Sequence, residues 1–381
     1  MKLFEDLHYT GLSPIIKWAG GKEKELSFIF SNAPLSFKYY YEPFVGGGAV
    51  FTAFSAQKYF INDKSQELID LYRSIASSDP NFFLWIASIE TVWNSMLEFV
   101  DCHRSLCDDY LLFREKKLSD KQMEAIILSF LREYSDELND ILLSSFKWHR
   151  DVYLKEIQKN LVRKILRMRQ IEKKKTLMPL KDVYDNIETA FMSSIYMYIR
   201  CIYNDQELMS SDKALSTAVF VFIRNYAYGG MFRYSHKGEF NVPYGGIGYN
   251  HKHLQKKIDY YKSTPLIEHL NKTTICNQDF ESFLRNNAPK ENDFVFLDPP
   301  YDSEFSTYAQ NVFSQEDHRR LANYLIRECS AKWMMIIKNT PYILSLYSEA
   351  GLTIKTFDKK YLVSFMNRND KSAEHLIIMN Y

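Results

Sequence analysis

The stretch that most constrains the fold is Asp293-Phe294-Val295-Phe296-Leu297-Asp298-Pro299-Pro300-Tyr301. It opens as a run of apolar strand formers, too short for a helix. Two prolines then stop it, because neither can donate to a sheet ladder and both fix φ. An acid, a rigid turn and an aromatic ring are thereby held at the tip of a buried strand. In open α/β sheets, ligands bind just beyond such carboxyl ends. An α/β fold with a mostly parallel sheet is the expectation. A buried strand ending in a purely structural Pro-Pro turn is the bland alternative.

The cluster has a definite chemical capacity. Asp298 can accept a hydrogen bond from an amino group, and the stiffened backbone offers the Pro299 carbonyl as a second acceptor. Tyr301 gives a flat face on which a base can stack. Two acceptors on an exocyclic amino group favour a more tetrahedral nitrogen, whose lone pair can attack an electrophilic methyl group.

A second unit lies upstream. Lys-Tyr-Tyr-Tyr-Glu-Pro-Phe-Val-Gly-Gly-Gly-Ala-Val-Phe, residues 38–51, reads as an aromatic strand, a glycine loop and a small-residue helix. Such a unit suits a nucleotide-like ligand. It is neither the dinucleotide fingerprint nor a P-loop. The next strand, Tyr59 to Asn62, ends at Asp63, where an acid that binds ribose is expected. Ile15 to Lys22 places two glycines between Trp18 and Lys22, which suits a loop whose backbone approaches a ligand closely or, more simply when taken alone, an ordinary turn.

The remaining chain is read more coarsely. At 381 residues it is long for one core. Five cysteines form no paired C-x-x-C sets, so neither structural zinc nor a disulfide framework is expected, and no metal is assigned. No apolar run is long enough for a membrane span, and the first residues lack a signal core. A cytoplasmic protein is expected. Residues 76–220 read as helical, with a capping box from Ser119 to Gln122. Apolar stripes follow at Met123, Ile126, Ile127, Phe130, Leu131 and Tyr134 and at Ile157, Leu161, Ile165 and Met168. Lysines and arginines crowd residues 147–175, which fits either a solvated helix face or a phosphate-contacting one. Residues 224–246 interleave aromatic, basic and glycine residues, with Lys237-Gly238 as a hairpin tip between two short strands. Such a ribbon can enter a DNA groove. An edge hairpin is its alternative. A helix at 315–329 and strands at Met334–Lys338, Thr353–Phe357 and His375–Asn380 follow, the last two flanking a polar loop from Asn367 to Asp370.

The order of these motifs decides among families. Lys-Trp-Ala-Gly-Gly-Lys comes first, then Glu-Pro-Phe-Val-Gly-Gly-Gly, then the hairpin, then Asp-Pro-Pro-Tyr. That order resembles the alpha-group (D12-class) DNA adenine-N6 methyltransferases, and the hairpin is similar to that of the Dam subfamily. The resemblance covers roughly 15–75 and 220–381. It implies S-adenosylmethionine as cofactor and a flipped adenine in double-stranded DNA as substrate, with GATC or a close relative as the expected site. It implies a catalytic tetrad of Asp298, Pro299, Pro300 and Tyr301. Cofactor contacts fall on Trp18, Lys22, Glu42, Phe44, Gly46, Gly48, Asp63, Asp279, Phe280 and Asp298. Base contacts fall on Lys17, Tyr228, Met231, Arg233 and Pro243. The catalytic domain would comprise 1–75 and 272–381, with 76–271 inserted for target recognition. Gly229 stands where close relatives often carry asparagine, no arginine follows Tyr244-Gly245-Gly246, and the insert is long. An RNA amino-group methyltransferase, a catalytically silent DNA-binding protein on the same fold, and a partner platform in the insert stay open as alternatives. The oligomeric state is not legible.

Overall fold

The computed structural model describes residues 9–142, 146, 148–301, 313–348, 351–360 and 372–381. These form two compact units, residues 1–78 with 261–381, and residues 79–260.

The helices in chain order are α1 Leu26–Asn32, α2 Gln66–Ala76, α3 Pro80–Cys102, α4 Ser105–Arg114, α5 Asp120–Glu133, α6 Ser135–Ile141, α7 Arg150–Glu172, α8 Leu180–Asn204, α9 Gln206–Ser211, α10 Lys213–Tyr226, α11 Gln255–Tyr261, α12 Thr264–Asn271, α13 Phe280–Asn287, α14 Gln315–Arg327 and α15 Pro341–Tyr347. The strands are β1 Tyr39–Glu42, β2 Lys58–Asn62, β3 Thr273–Cys276, β4 Phe294–Leu297, β5 Lys332–Lys338, β6 Thr353–Lys360 and β7 Ser372–Met379.

In the first unit these strands form one sheet in the order β3-β2-β1-β4-β5-β7-β6. β3, β2, β1, β4 and β5 pair in parallel, and β7 runs antiparallel to both β5 and β6. The mostly parallel α/β sheet expected from the sequence is therefore present. All four β4 residues are buried, as a central parallel strand covered on both faces requires. Asp293 locks its start: its carboxylate accepts from Lys290 N at 2.9 Å and Tyr39 N at 3.3 Å, tying β4 to β1. One side of the sheet carries Tyr40 against Phe54 and Phe294. The other stacks Tyr41 on Phe60 at 4.6 Å and buries Val295, Leu297, Trp333 and Leu376. Strand order reverses between β1 and β4, which opens a crevice at their carboxyl ends.

Two expectations need correction. No regular helix follows the glycine loop. Residues 49–53 form turns, with Thr52 N and Oγ1 both bonding Gly48 O. The short span to Lys58 must bring the chain back to start β2 beside β1, and that leaves room for an irregular turn alone. The hairpin also lacks its two short strands and closes through single bridges, Ala227 to Tyr244 and Tyr234 to Phe240.

The second unit is helical in its described residues apart from that hairpin. Ser119 and Gln122 form the expected capping box on α5. The α7 stripe of Ile157, Leu161, Ile165 and Met168 is buried. The loop from Asn367 to Asp370 lies outside the described residues.

Candidate active site and nucleic-acid interface

The site in the first unit is assembled from loops that leave the carboxyl ends of β1, β2, β3 and β4. Leaving β1, the chain passes Glu42 and enters the glycine loop. A Cβ on Gly47 would collide with the Ile16 carbonyl oxygen, and Ile15 N donates to Gly47 O at 2.9 Å. Gly48 adopts φ +80°, and a Cβ there would collide with the Tyr72 hydroxyl, which donates to Gly46 O at 3.0 Å. Glycine is thus required by backbone packing of residues 15–18 onto the loop. Trp18 lies against Gly46, in van der Waals reach of any added Cβ.

Leaving β2, Asp63 turns back to the same loop. One carboxylate oxygen accepts from Gly46 N at 3.0 Å and the other from Ser65 N at 2.9 Å. Burial raises the Asp63 carboxyl above its ordinary value, and those backbone donors pull it down. Asn62, buried just before it, bonds Pro43 O, Gln278 O and Gln278 N, so the ends of β1, β2 and β3 are stitched together. Asp279 caps α13 through Glu281 N at 3.1 Å, and its carboxylate meets Arg320 at 2.7 Å. Phe280 follows, with Phe44 at 5.6 Å on one side and the Arg320 guanidinium 4.9 Å above its ring. Phe313 completes this aromatic group, 5.6 Å from Phe44 and 5.4 Å from Phe280.

Leaving β4, Asp298 meets the only strongly buried lysine of this edge among the described residues. Lys22 is 2% exposed, donates to Gly20 O at 2.8 Å, and forms an ion pair with Asp298 Oδ2. Its ammonium lies 5.8 Å from the Tyr301 ring centre, and that ring meets buried His375 edge-on at 5.3 Å. Glu42 is also buried and accepts from Tyr40 Oη at 2.6 Å. Burial holds the Glu42 carboxyl well above the carboxylate range; Tyr40 opposes this, Asp298 adds to it, and Lys22 opposes it less strongly. Pro299 is buried and Pro300 exposed.

The second unit presents a different surface. Tyr228 is 49% exposed, and Arg233 and Pro243 are exposed beside half-buried Met231. Tyr228 N donates to Pro243 O at 2.9 Å and Met231 N to Tyr228 O at 3.1 Å, so these residues share one ribbon. Arg233 Nε donates to Asn241 Oδ1 at 3.0 Å. α8 anchors the ribbon through Asn204 to Phe240 and through Tyr196 and Arg200 to Val242 O. Lys17 belongs to the first unit, exposed beside Trp18.

A profile of the D12 class N6 adenine-specific DNA methyltransferases matches residues 18–137 and 138–363. The chain belongs to that family. It is 24% identical over 383 aligned positions to a type II methyltransferase of Methanocaldococcus jannaschii, covering 97% of this chain and 99% of that protein. It is 31% identical over 210 residues to a type II methyltransferase of a Paramecium bursaria Chlorella virus, covering 52% of this chain and 76% of that one. It is 22% identical over 371 residues to the retron Ec67 DNA adenine methylase of Escherichia coli, covering 97% and 92%. This D12-class enzyme is a DNA adenine methyltransferase, acting on DNA with a methyl donor.

For a methyltransferase of DNA, the basic stretch of α7 is the obvious second place to look. Much of its charge is engaged inside its own unit. Lys155 pairs with Asp151, Lys159 with Glu156 and Arg169 with Asp120, while Arg150 bonds Asn139 and Arg163 bonds Asn160. Arg169 also lies over Phe113 at 3.9 Å. Lys155 and Lys159 stay exposed in these pairs, and Arg167, Lys173, Lys174 and Lys175 are exposed as well. Lys147 lies outside the described residues. Among the described residues no cluster of three His, Cys, Asp or Glu side chains could hold a metal, and no helix is long and apolar enough to cross a membrane.

Sequence reading missed Asn62, Arg320 and Phe313. A polar residue ending the apolar run Tyr59-Phe60-Ile61 was the available signal for Asn62. Arg320 has one local partner, Asp317 three residues before it, but its link to the site runs through Asp279 and Glu281, about forty positions away.

Proposed function

We propose that this methyltransferase transfers a methyl group from S-adenosylmethionine to N6 of an adenine flipped out of double-stranded DNA, in GATC or a closely related short site. The observation that carries the chemistry is Asp298 at the end of β4, beside the reversal of strand order and held by buried Lys22.

The residues of the β1–β3 edge fit the cofactor. Phe44 and Phe280 offer an apolar face for a purine. The glycine loop brings backbone close to a ligand, and Asp63 stands at the position of a ribose-binding acid. Carboxylates along the same edge suit a cation. S-adenosylmethionine, when bound, supplies an electrophilic methyl on a sulfonium. Trp18, Lys22, Glu42, Gly46, Gly48 and Asp279 shape and charge that pocket. Asp63 also braces the loop, and Asp279 fixes the start of α13.

At the reacting end, Asp298 and the Pro299 carbonyl accept the two N6 hydrogens. The nitrogen lone pair is thereby freed from the ring for attack, and one of the two N6 protons passes to solvent as the methyl is taken up from sulfur. Lys22 orients Asp298 from the side of Oδ2. Pro300 stiffens the turn, and Tyr301 stacks on the extruded base. Flipping costs a few kcal/mol, which stacking on Tyr301 and insertion of Tyr228 into the gap offset. Arg233 reads a guanine through its guanidinium fork, Met231 and Pro243 contact a thymine methyl, and Lys17 reads a further base.

Residues 1–75 and 272–381 are read as the catalytic domain and 76–271 as the target-recognition region. An enzyme of chromosomal or phage DNA works in the cytoplasm, as the modification enzyme of a restriction system or as a stand-alone Dam-type methylase; type II methyltransferases and DNA adenine methylases both stand among the relatives. The test is single-molecule sequencing of DNA from a methylation-free host carrying the gene. N6-methyladenine at GATC or a one-base relative is expected. Methylation confined to an unrelated motif would refute the target, and methylation of RNA alone would refute the substrate.

A further inference from the structure

The base-reading ribbon has very little sheet of its own. Its stem is the single bridge between Ala227 and Tyr244, with Gly245 N donating to Tyr226 O at 2.9 Å. A two-stranded ribbon this short is marginal in water and does not fix its own register. Something else must hold it.

Asn250 does so from below. It is 1% exposed. Its Oδ1 accepts from Tyr244 Oη at 2.9 Å, and its Nδ2 donates to Glu188 Oε1 at 2.8 Å and Thr189 Oγ1 at 3.0 Å. Its backbone carbonyl accepts from Trp93 Nε1 at 3.0 Å. Glu188 is 2% exposed on α8, and His251 Nε2 approaches the same Oε1 at 3.1 Å. Nearby, buried Glu90 accepts from Leu254 N at 2.9 Å and fixes the chain that follows. Apolar residues could fill this space without the desolvation cost of an amide and a carboxylate. The hydrogen bonds through the Asn250 amide restrict its geometry, which an apolar filling would not.

We propose that Asn250 and Glu188 are positioning residues for DNA recognition. The amide–carboxylate pair locks the Tyr244 hydroxyl, and Tyr244 sets where its neighbour Pro243 and the paired Tyr228 stand. Neither residue touches DNA, since both are buried. The inference rests on the ribbon being the base reader, as proposed above.

A reciprocal exchange tests it. Asn250→Asp sets one carboxylate against another and leaves no donor between them. Adding Glu188→Gln returns a donor, because the new amide can donate to the new carboxylate while Tyr244 still donates to it. The readout is the ratio of kcat/KM on a duplex carrying the mapped site to that on duplexes with one altered base pair. Asn250→Asp should lower this ratio by about tenfold with S-adenosylmethionine affinity unchanged, and the double variant should restore it to within about threefold. Unchanged discrimination in Asn250→Asp would overturn the proposal. Equal loss in single and double variants would overturn it too, by assigning the effect to general damage. Should Asn250→Asp fail to fold, Asn250→Ser, which cannot bridge Tyr244 to Glu188, is read by the same ratio against the same limits. Arg233→Ala is run in parallel: if discrimination survives there, the reading of the ribbon fails, and not merely the role of Asn250.

Discussion

Lys22 is a cation almost removed from water, and such a charge persists only where it is paired. Its partner is Asp298, and the two lie 276 positions apart in the chain. Neither could be assigned to the other from spacing; Asp298 stood out through its Pro-Pro turn, and Lys22 entered only through the family resemblance. Gly47 shows the same dependence on a distant neighbour. Nothing local forbids a side chain there; the Ile16 carbonyl does. Gly47→Ala should therefore push residues 15–18 off the loop. It should cost about 1–3 kcal/mol of stability, the usual range for overpacking. S-adenosylmethionine binding should weaken about tenfold, as read by calorimetric titration. Binding and melting like the parent would mean that the loop does not depend on this close approach.

At the scale of elements, periodicity and composition carried most of the reading. β4 and β5 are legible as continuous apolar runs because central parallel strands are covered on both faces. The α5 start is legible because a capping box is a local device. The turn after the glycine loop was misread as a helix because small residues allow a helix, whereas the distance to β2 decides against one. The hairpin strands shrink to single bridges because side chains of α8 satisfy the ribbon, and those contacts are not local. Exposed on that ribbon, Arg233 keeps four Nη hydrogens beyond the one that Nε gives to Asn241. Arg233→Ala should cost roughly 1–3 kcal/mol on the cognate site and relax selectivity at one guanine position. Competition binding against singly substituted duplexes reads this directly. A uniform loss across all sequences would make Arg233 a phosphate contact instead.

At the scale of the molecule, Asp298 and the hairpin that carries Tyr228 and Arg233 belong to separate compact units, so each can be perturbed alone. His269 does this for the first unit. It is buried on α12, 4.6 Å from the Phe51 ring and 4.1 Å from Tyr59, and burial lowers its imidazole from an ordinary 6.5 to about 4. The folded chain therefore keeps it neutral where the unfolded chain has already bound a proton. Stability is fully present above about pH 6.5 and is lost as the pH falls towards 4. The loss from this one group between pH 7 and 5 is about 2 kcal/mol. His269→Gln should remove that part of the acid slope in urea denaturation, and an unaltered slope would contradict the assignment. The central claim is narrower: Asp298 at the tip of β4 makes the adenine amino group reactive. The most direct test incubates parent and Asp298→Ala proteins with duplex DNA and S-adenosylmethionine and counts N6-methyladenine by mass spectrometry of the nucleosides, with circular dichroism to confirm folding. The parent should form N6-methyladenine, and the folded variant should form none above background. Near-normal N6-methyladenine from the folded variant would contradict the account.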